Sequence, residues 1–319
     1  MATLENKFSF KSNADGLNIS VLRIEPEDAK QIKGIVQLVH GMCEHKERYI
    51  DFMNYLANRG YLCVIHDHRG HGESIKDFQD IGYMYDGGYK ALIDDTHEVT
   101  VRTKEYVREL RSLNGIQSEI PYILLGHSMG SLIVRCYTKL YDNEIDKLLV
   151  LGCPSKLPGM VPGLMLINVL KAIRGGHARS KIVDYLVSGS NYEKRFAHEK
   201  LSHAWLNTDK AEVQKYLNDP YCMFTFTLNA YHNLVKLTME VYEDGGYHVI
   251  NKSLPIHFFS GGDDPCGISD ADIEKAADVI RTAGYDNVKV KTYGGMRHEI
   301  LLEPQKQMVY NDILEFIKG

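Results

Sequence analysis

The sequence predicts an α/β protein in which a mostly parallel central sheet is flanked by helices and topped by an inserted, mainly helical cap. Three observations carry this expectation. Short apolar runs rich in β-branched residues recur at 34–39, 61–65, 122–125, 147–151, 255–259 and 288–292, the pattern of buried parallel strands. Helical patterns lie between them, as right-handed crossover connections require. One gap, from 151 to 255, is far longer than a loop of about 2 to 6 residues plus one helix.

Taken in order, the segments 7–10 and 19–24 are expected to add an antiparallel edge to the sheet. Leu92, Thr96, Val99, Tyr106, Leu110 and Leu113 recur on one face at helical spacing, which predicts a long amphipathic helix. Ile313, Phe316 and Ile317 repeat the pattern and predict a closing helix. The long gap opens with Pro154, Pro158 and Pro162 and holds helical segments at 211–217 and 228–241. The expected division is therefore a core of residues 1–153 and 252–319 with a cap of residues 154–251. The cap should cover the C-terminal ends of the strands, where open α/β sheets place their ligands. Gly152, Gly175, Gly176, Gly245 and Gly246 near its ends permit hinges.

Composition narrows the function. With 319 residues, a net charge of -5 and 25% charged residues, the chain shows no basic face suited to nucleic acid. Its six cysteines stand apart without a C-x-x-C pair, which reads as free thiols in a reducing compartment. The first ten residues lack a basic segment followed by an apolar run, so no secretory signal is read and a cytoplasmic location is expected. The apolar stretch 157–173 is broken by Pro162, Gly163 and Asn168 and is shorter than the ~20 apolar residues of a spanning helix.

The chemistry is concentrated after the strand at 122–125. Gly126-His127-Ser128-Met129-Gly130 is a G-x-S-x-G motif followed by a helical stretch, the strand-turn-helix context that lifts a serine hydroxyl above a sheet. Glycines flank the serine because a Cβ there would collide with neighbouring backbone. A serine needs a base, and a neutral imidazole suits that task near pH 7. Of fourteen histidines, His298 follows the last strand through Gly294-Gly295. An acid to orient it is expected after the strand at 255–259, where Asp263 and Asp264 adjoin.

On these residues the chain resembles the α/β-hydrolase superfamily, and within it the monoacylglycerol lipase and bacterial lysophospholipase branch. The resemblance covers nearly the whole chain. Its landmarks are His40-Gly41-Met42-Cys43-Glu44-His45 with Arg48-Tyr49, Asp67-His68-Arg69-Gly70-His71-Gly72, the Ser128 motif, His203-Ala204-Trp205-Leu206 with Asp219-Pro220, Gly261-Gly262-Asp263-Asp264-Pro265, and Arg297-His298-Glu299. It implies the chain order serine, acid, histidine, and selects Asp264 by its place after Gly261 and before Pro265. It implies a serine carboxylic-ester hydrolase acting on a lipid-like ester such as a monoacylglycerol or lysophospholipid, without metal or organic cofactor. The oxyanion would be held by the N–H groups of Met129 and Met42.

Glu44 and Arg48 match residues that hold the glycerol end of the substrate in monoacylglycerol lipases, and equally suit a local salt bridge. Met42 and Cys43 are bulkier than the small residues common at this turn. The cap stripe from Leu157 through Met160, Val161, Leu164, Met165, Leu166, Ile167, Val169 and Leu170 suits core packing, an acyl channel in which Leu164 and Ile167 touch substrate, or transient contact with a membrane surface. Lys171, Arg174, Arg179 and Lys181 follow it and suit an anionic surface or a solvated face. His66, His68 and His71 do not have the spacing of a helical zinc motif. Two further readings keep open a short-chain or aryl esterase, thioesterase or peptidase with the same triad, and a ligand-binding protein on the same fold.

Overall fold

A computed structural model describes residues 2–156, 159–243, 245–267 and 269–319, with backbone alone for 188–191. Leu157 and Pro158 lie outside the described residues. The strands are β1 (Thr3–Lys11), β2 (Asn18–Pro26), β3 (Gly34–Val39), β4 (Tyr61–His66), β5 (Tyr122–His127), β6 (Lys147–Leu151), β7 (Ile256–Gly261) and β8 (Val288–Tyr293). They form one sheet in the order β1-β2-β4-β3-β5-β6-β7-β8. β1 and β2 pair antiparallel, β2 runs antiparallel to β4, and every pairing from β4 to β8 is parallel.

The helices of the core are α1 (Ile50–Ala57), α2 (Gly88–Leu113) and α3 (Met129–Tyr141). Between β6 and β7 come α4 (Met160–Arg174), α5 (Lys181–Asp184), α6 (Ser190–Phe196), α7 (Lys210–Asn218) and α8 (Leu228–Val241), and the chain ends with α9 (Asp270–Ala283) and α10 (Lys306–Lys318). Strands β2 to β7 are buried on both faces, their residues alternating between two cores, while the edge strands β1 and β8 remain partly accessible. Ile35, Leu124, Leu148 and Phe258 pack toward α2, α3 and α9. Val36, Leu125, Leu149 and Phe259 pack toward α1 and α10. This is the α/β-hydrolase architecture, with α4 to α8 as the inserted helical region.

Candidate active site

The residues singled out by the sequence converge at the C-terminal ends of the strands. Ser128 joins β5 to α3 with φ 54° and ψ -118°, a strained conformation for a residue with a side chain. The fold over-determines it: a Cβ on Gly126 would stand 2.4 Å from the Gly130 carbonyl oxygen, and one on Gly130 would stand 2.0 Å from that of Val39. Ser128 N–H donates to Leu151 O at 2.9 Å, and the Ser131 hydroxyl donates to Ser128 O at 2.6 Å. Met129 opens α3, where the first N–H groups lack intrahelical acceptors.

His298 and Asp264 come from the loops after β8 and β7. Both are buried, and His298 Nδ1–H donates to Asp264 Oδ2 at 2.9 Å. The second carboxylate oxygen, Oδ1, accepts the Cys266 N–H at 2.9 Å. Asp263 instead pairs at the surface with Arg195 at 3.2 Å. Ser128 and His298 line one cavity of about 1040 Å³ together with Met42 and Met129. Gly41 packs closely on the serine, since a Cβ there would lie 3.0 Å from Ser128 Cβ and 2.6 Å from Glu44 Oε1.

Glu44 is the hub of the turn that carries Met42. It accepts from Gly41 N–H, from Tyr49 OH at 2.9 Å, from Arg48 Nη1 at 3.0 Å and from His127 Nδ1 at 3.1 Å. Burial works against its charge, yet His127, Arg48 and the Gly41 N–H hold the carboxyl far below the usual range. The same contact raises His127 in spite of its own burial. Arg48 also reaches Glu299 Oε1 at 2.6 Å. The salt bridge expected between Glu44 and Arg48 is thus formed, and both side chains lie on the cavity wall.

Two expected contacts are corrected. Leu164 and Ile167 are not among the cavity-lining residues described; Ile167 is buried in the core and Leu164 packs against it. Met160, Pro162, Gly163 and Leu166 of the same helix line the cavity instead. His66, His68 and His71 pack with His40 as a buried cluster beneath the Met42 turn, with ring centroids 4.1 to 6.0 Å apart.

His127, Glu299, Trp205 and Arg297 stood among the sequence landmarks without a role assigned to any of them. His127 Nε2–H donates to the carbonyl of His298 at 3.2 Å, tying the His298 loop to the Ser128 turn. Glu299 closes the far side of Arg48, and its N–H donates to Leu206 O at 2.9 Å. The Trp205 ring lies 5.2 Å from that of His298. Arg297 Nη1 donates to Ala204 O and Asn207 O at 2.5 and 3.1 Å. The segments 203–206 and 297–299 therefore dock on each other, which gives a physical reason for two of the landmarks read in the sequence.

The chain is 25% identical over 293 residues to a monoacylglycerol lipase of Mycolicibacterium smegmatis, covering 89% of this chain and 88% of that one. Its structure is similar to a thermostable carboxyl esterase from Bacillus coagulans solved with glycerol, at 26% identity and a TM-score of 0.85, covering 100% and 99% of the two chains. It shares its fold with a monoglyceride lipase of Saccharomyces cerevisiae, at 20% identity and a TM-score of 0.73, covering 100% and 95%. Residues 30–305 match the family described as serine aminopeptidase, S33. The chain belongs to that family of α/β-hydrolases and is a serine hydrolase of the esterase and lipase type.

Proposed function

We propose that this enzyme hydrolyses a lipid-like carboxylic ester, a monoacylglycerol or a lysophospholipid, through an acyl-enzyme on Ser128. The observation that carries the reading is one cavity of about 1040 Å³ that joins Ser128 and His298 to an apolar cap wall and to the charged group Glu44, Arg48 and Glu299. Its volume stands at the top of the ~300 to 1,000 Å³ range of small-molecule sites. An acyl chain suits the wall of Leu166, Leu186, Val187 and Leu234, and a hydroxylated alcohol suits the charged end.

In this mechanism His298, its Nδ1–H held by Asp264, uses Nε2 to take the Ser128 proton as Oγ attacks the ester carbonyl. The N–H groups of Met42 and Met129 stabilise the alkoxide. His298 returns the proton to the departing alcohol, then activates a water that releases the fatty acid. Asp264 keeps the tautomer and stabilises the imidazolium without taking its proton. The reading also gives the cap a lipid surface to rest on: Val161, Met165, Val169 and Ile173 of α4 are exposed, and Lys171 and Arg174 stand beside them.

The test is hydrolysis of p-nitrophenyl esters from acetate to palmitate, 1-monooleoylglycerol and a lysophosphatidylcholine by wild type and Ser128→Ala. Turnover that rises toward the glyceride and vanishes in the variant is expected. Turnover confined to acetate and butyrate would overturn the lipid reading. It would favour a small-ester carboxylesterase, which the likeness to the Bacillus coagulans carboxyl esterase and the bulk of Met42 and Cys43 also suit.

A further inference from the structure

His45, Asp219 and Cys222 are far apart in sequence and meet where the cap touches the core. His45 ends the turn that carries Met42 and precedes a short 3-10 turn, Lys46–Tyr49. Asp219 and Cys222 belong to a tight turn just beyond α7. Pro220 presets the second position of that turn. Cys222 N–H donates to Asp219 O at 3.0 Å and Tyr221 N–H to Asp219 Oδ1 at 2.8 Å, so the two side chains emerge on one side. Opposite them, His45 Nε2 lies 2.9 Å from Asp219 Oδ2, while Nδ1 lies 2.8 Å from Glu47 Oε2. One donor atom from each of His45, Asp219 and Cys222 lies within 4.8 Å of the other two.

We infer that these three side chains form a binding site for a borderline-soft divalent cation, best matched by Zn²⁺, that staples the cap to the Met42 turn. A tetrahedral zinc ion needs nitrogen, oxygen and sulfur donors about 3.3 to 3.7 Å apart, and these donors, all within 4.8 Å of one another, need only side-chain adjustment to reach that spacing. One imidazole, one carboxylate and one thiolate match zinc, whereas Ca²⁺ and Mg²⁺ take oxygen donors. Glu47 supplies the carboxylate that orients a metal-binding histidine, leaving the Nε2 lone pair for the ion. Three protein ligands leave a fourth position for water. On binding, the Nε2 proton of His45 and the thiol proton of Cys222 pass to solvent, so two protons leave as the ion's two positive charges arrive. Glu47 and Asp219 face His45, and Asp219, Glu44, Glu299 and Arg48 surround Cys222. Cys222 also lines the substrate cavity, so the ion would slow ester turnover by fixing the cap.

The test is a titration of the intact protein with Co²⁺, followed by displacement with Zn²⁺. A thiolate-to-cobalt absorption band is expected in wild type, with Zn²⁺ binding at a Kd below about 10 µM. Cys222→Ser should remove the band, and Glu47→Gln should keep it while weakening Zn²⁺ about 10-fold. Asp219→Asn, at a partly exposed position, provides a second ligand variant if Cys222→Ser fails to fold, and should weaken Zn²⁺ by at least as much. Asp264, Cys266 and His298 also bring three donors together. A band that survives Cys222→Ser and is lost in Cys266→Ser would overturn the proposal, as would a folded wild type without a band. Coordination is read by absorbance, so this result is independent of which ester the enzyme cleaves.

Discussion

Glu44 serves Gly41, Arg48, Tyr49 and His127 at once, and its removal leaves a buried cation network without its main acceptor. Glu44→Ala should therefore destabilise the fold by about 3 kcal/mol, measured by urea denaturation at neutral pH, where an unchanged midpoint would show that Glu299 alone suffices for Arg48. The acid is tested by contrast. Asp264→Asn should lower kcat by about 10³ to 10⁴, while Asp263→Asn, which removes only a surface ion pair, should change it by less than about twofold. A large loss in Asp263→Asn with little change in Asp264→Asn would reverse the assignment. Sequence spacing was enough to single out Ser128 and His298, because a nucleophile turn and a final histidine loop are local. Glu299 and His127 stood in the landmarks without a role because each acts through partners distant in the chain: Arg48 for the first, the carbonyl of His298 for the second.

The elements show the same division between local and distant causes. Expected strands and observed strands agree closely in β3 to β7, since burial on both faces forces continuous apolar runs, whereas the edge strand β8 is half-exposed and alternates valine with lysine. Helix α4 was harder, because it is apolar on nearly every side and only its packing decides that Ile167 enters the core while Leu166 meets the cavity. At the nucleophile turn the tolerance is small: Gly130→Ala should yield no folded protein, judged by soluble expression and circular dichroism, because its Cβ would meet the Val39 and His40 carbonyls at 2.0 and 2.6 Å.

The ends of β3 and β4 bring a different sensitivity. Burial lowers His66 to about 3 and His71 to about 4, so each stays neutral in the fold and gains a proton only on unfolding. Their contribution is complete above the unfolded value near 6.5 and is lost as pH falls toward 4 and 3, at up to about 1.4 kcal/mol per pH unit for each histidine. His66, whose two ring nitrogens have no hydrogen-bond partner among the described residues, gives the cleanest test. Denaturation between about pH 7 and pH 5 should show stability falling more steeply in wild type than in His66→Phe, by roughly one proton's worth. Parallel slopes would remove His66 from the account.

At the scale of the whole molecule the cap presents apolar residues to solvent as well as to substrate. Among the described residues no helix is long and apolar enough to cross a membrane. Sedimentation with vesicles of anionic phospholipid should carry the enzyme down, and the double variant Val169→Glu, Ile173→Glu should reduce the bound fraction about tenfold, with p-nitrophenyl butyrate turnover unchanged. Equal binding of the two proteins would place the contact elsewhere.

Pairing of β6 with β7 spans the whole insertion, from Leu151 to Ile256. During synthesis at about 5 to 20 residues per second, the strand Lys147–Leu151 therefore waits about 5 to 20 s for its neighbour, a bare edge of leucine and valine on a half-built sheet. A nascent chain stalled within the cap should be the form most avidly held by chaperones and most prone to aggregate, and early folding of α4 to α8 would protect it by bringing the ends of the insertion together.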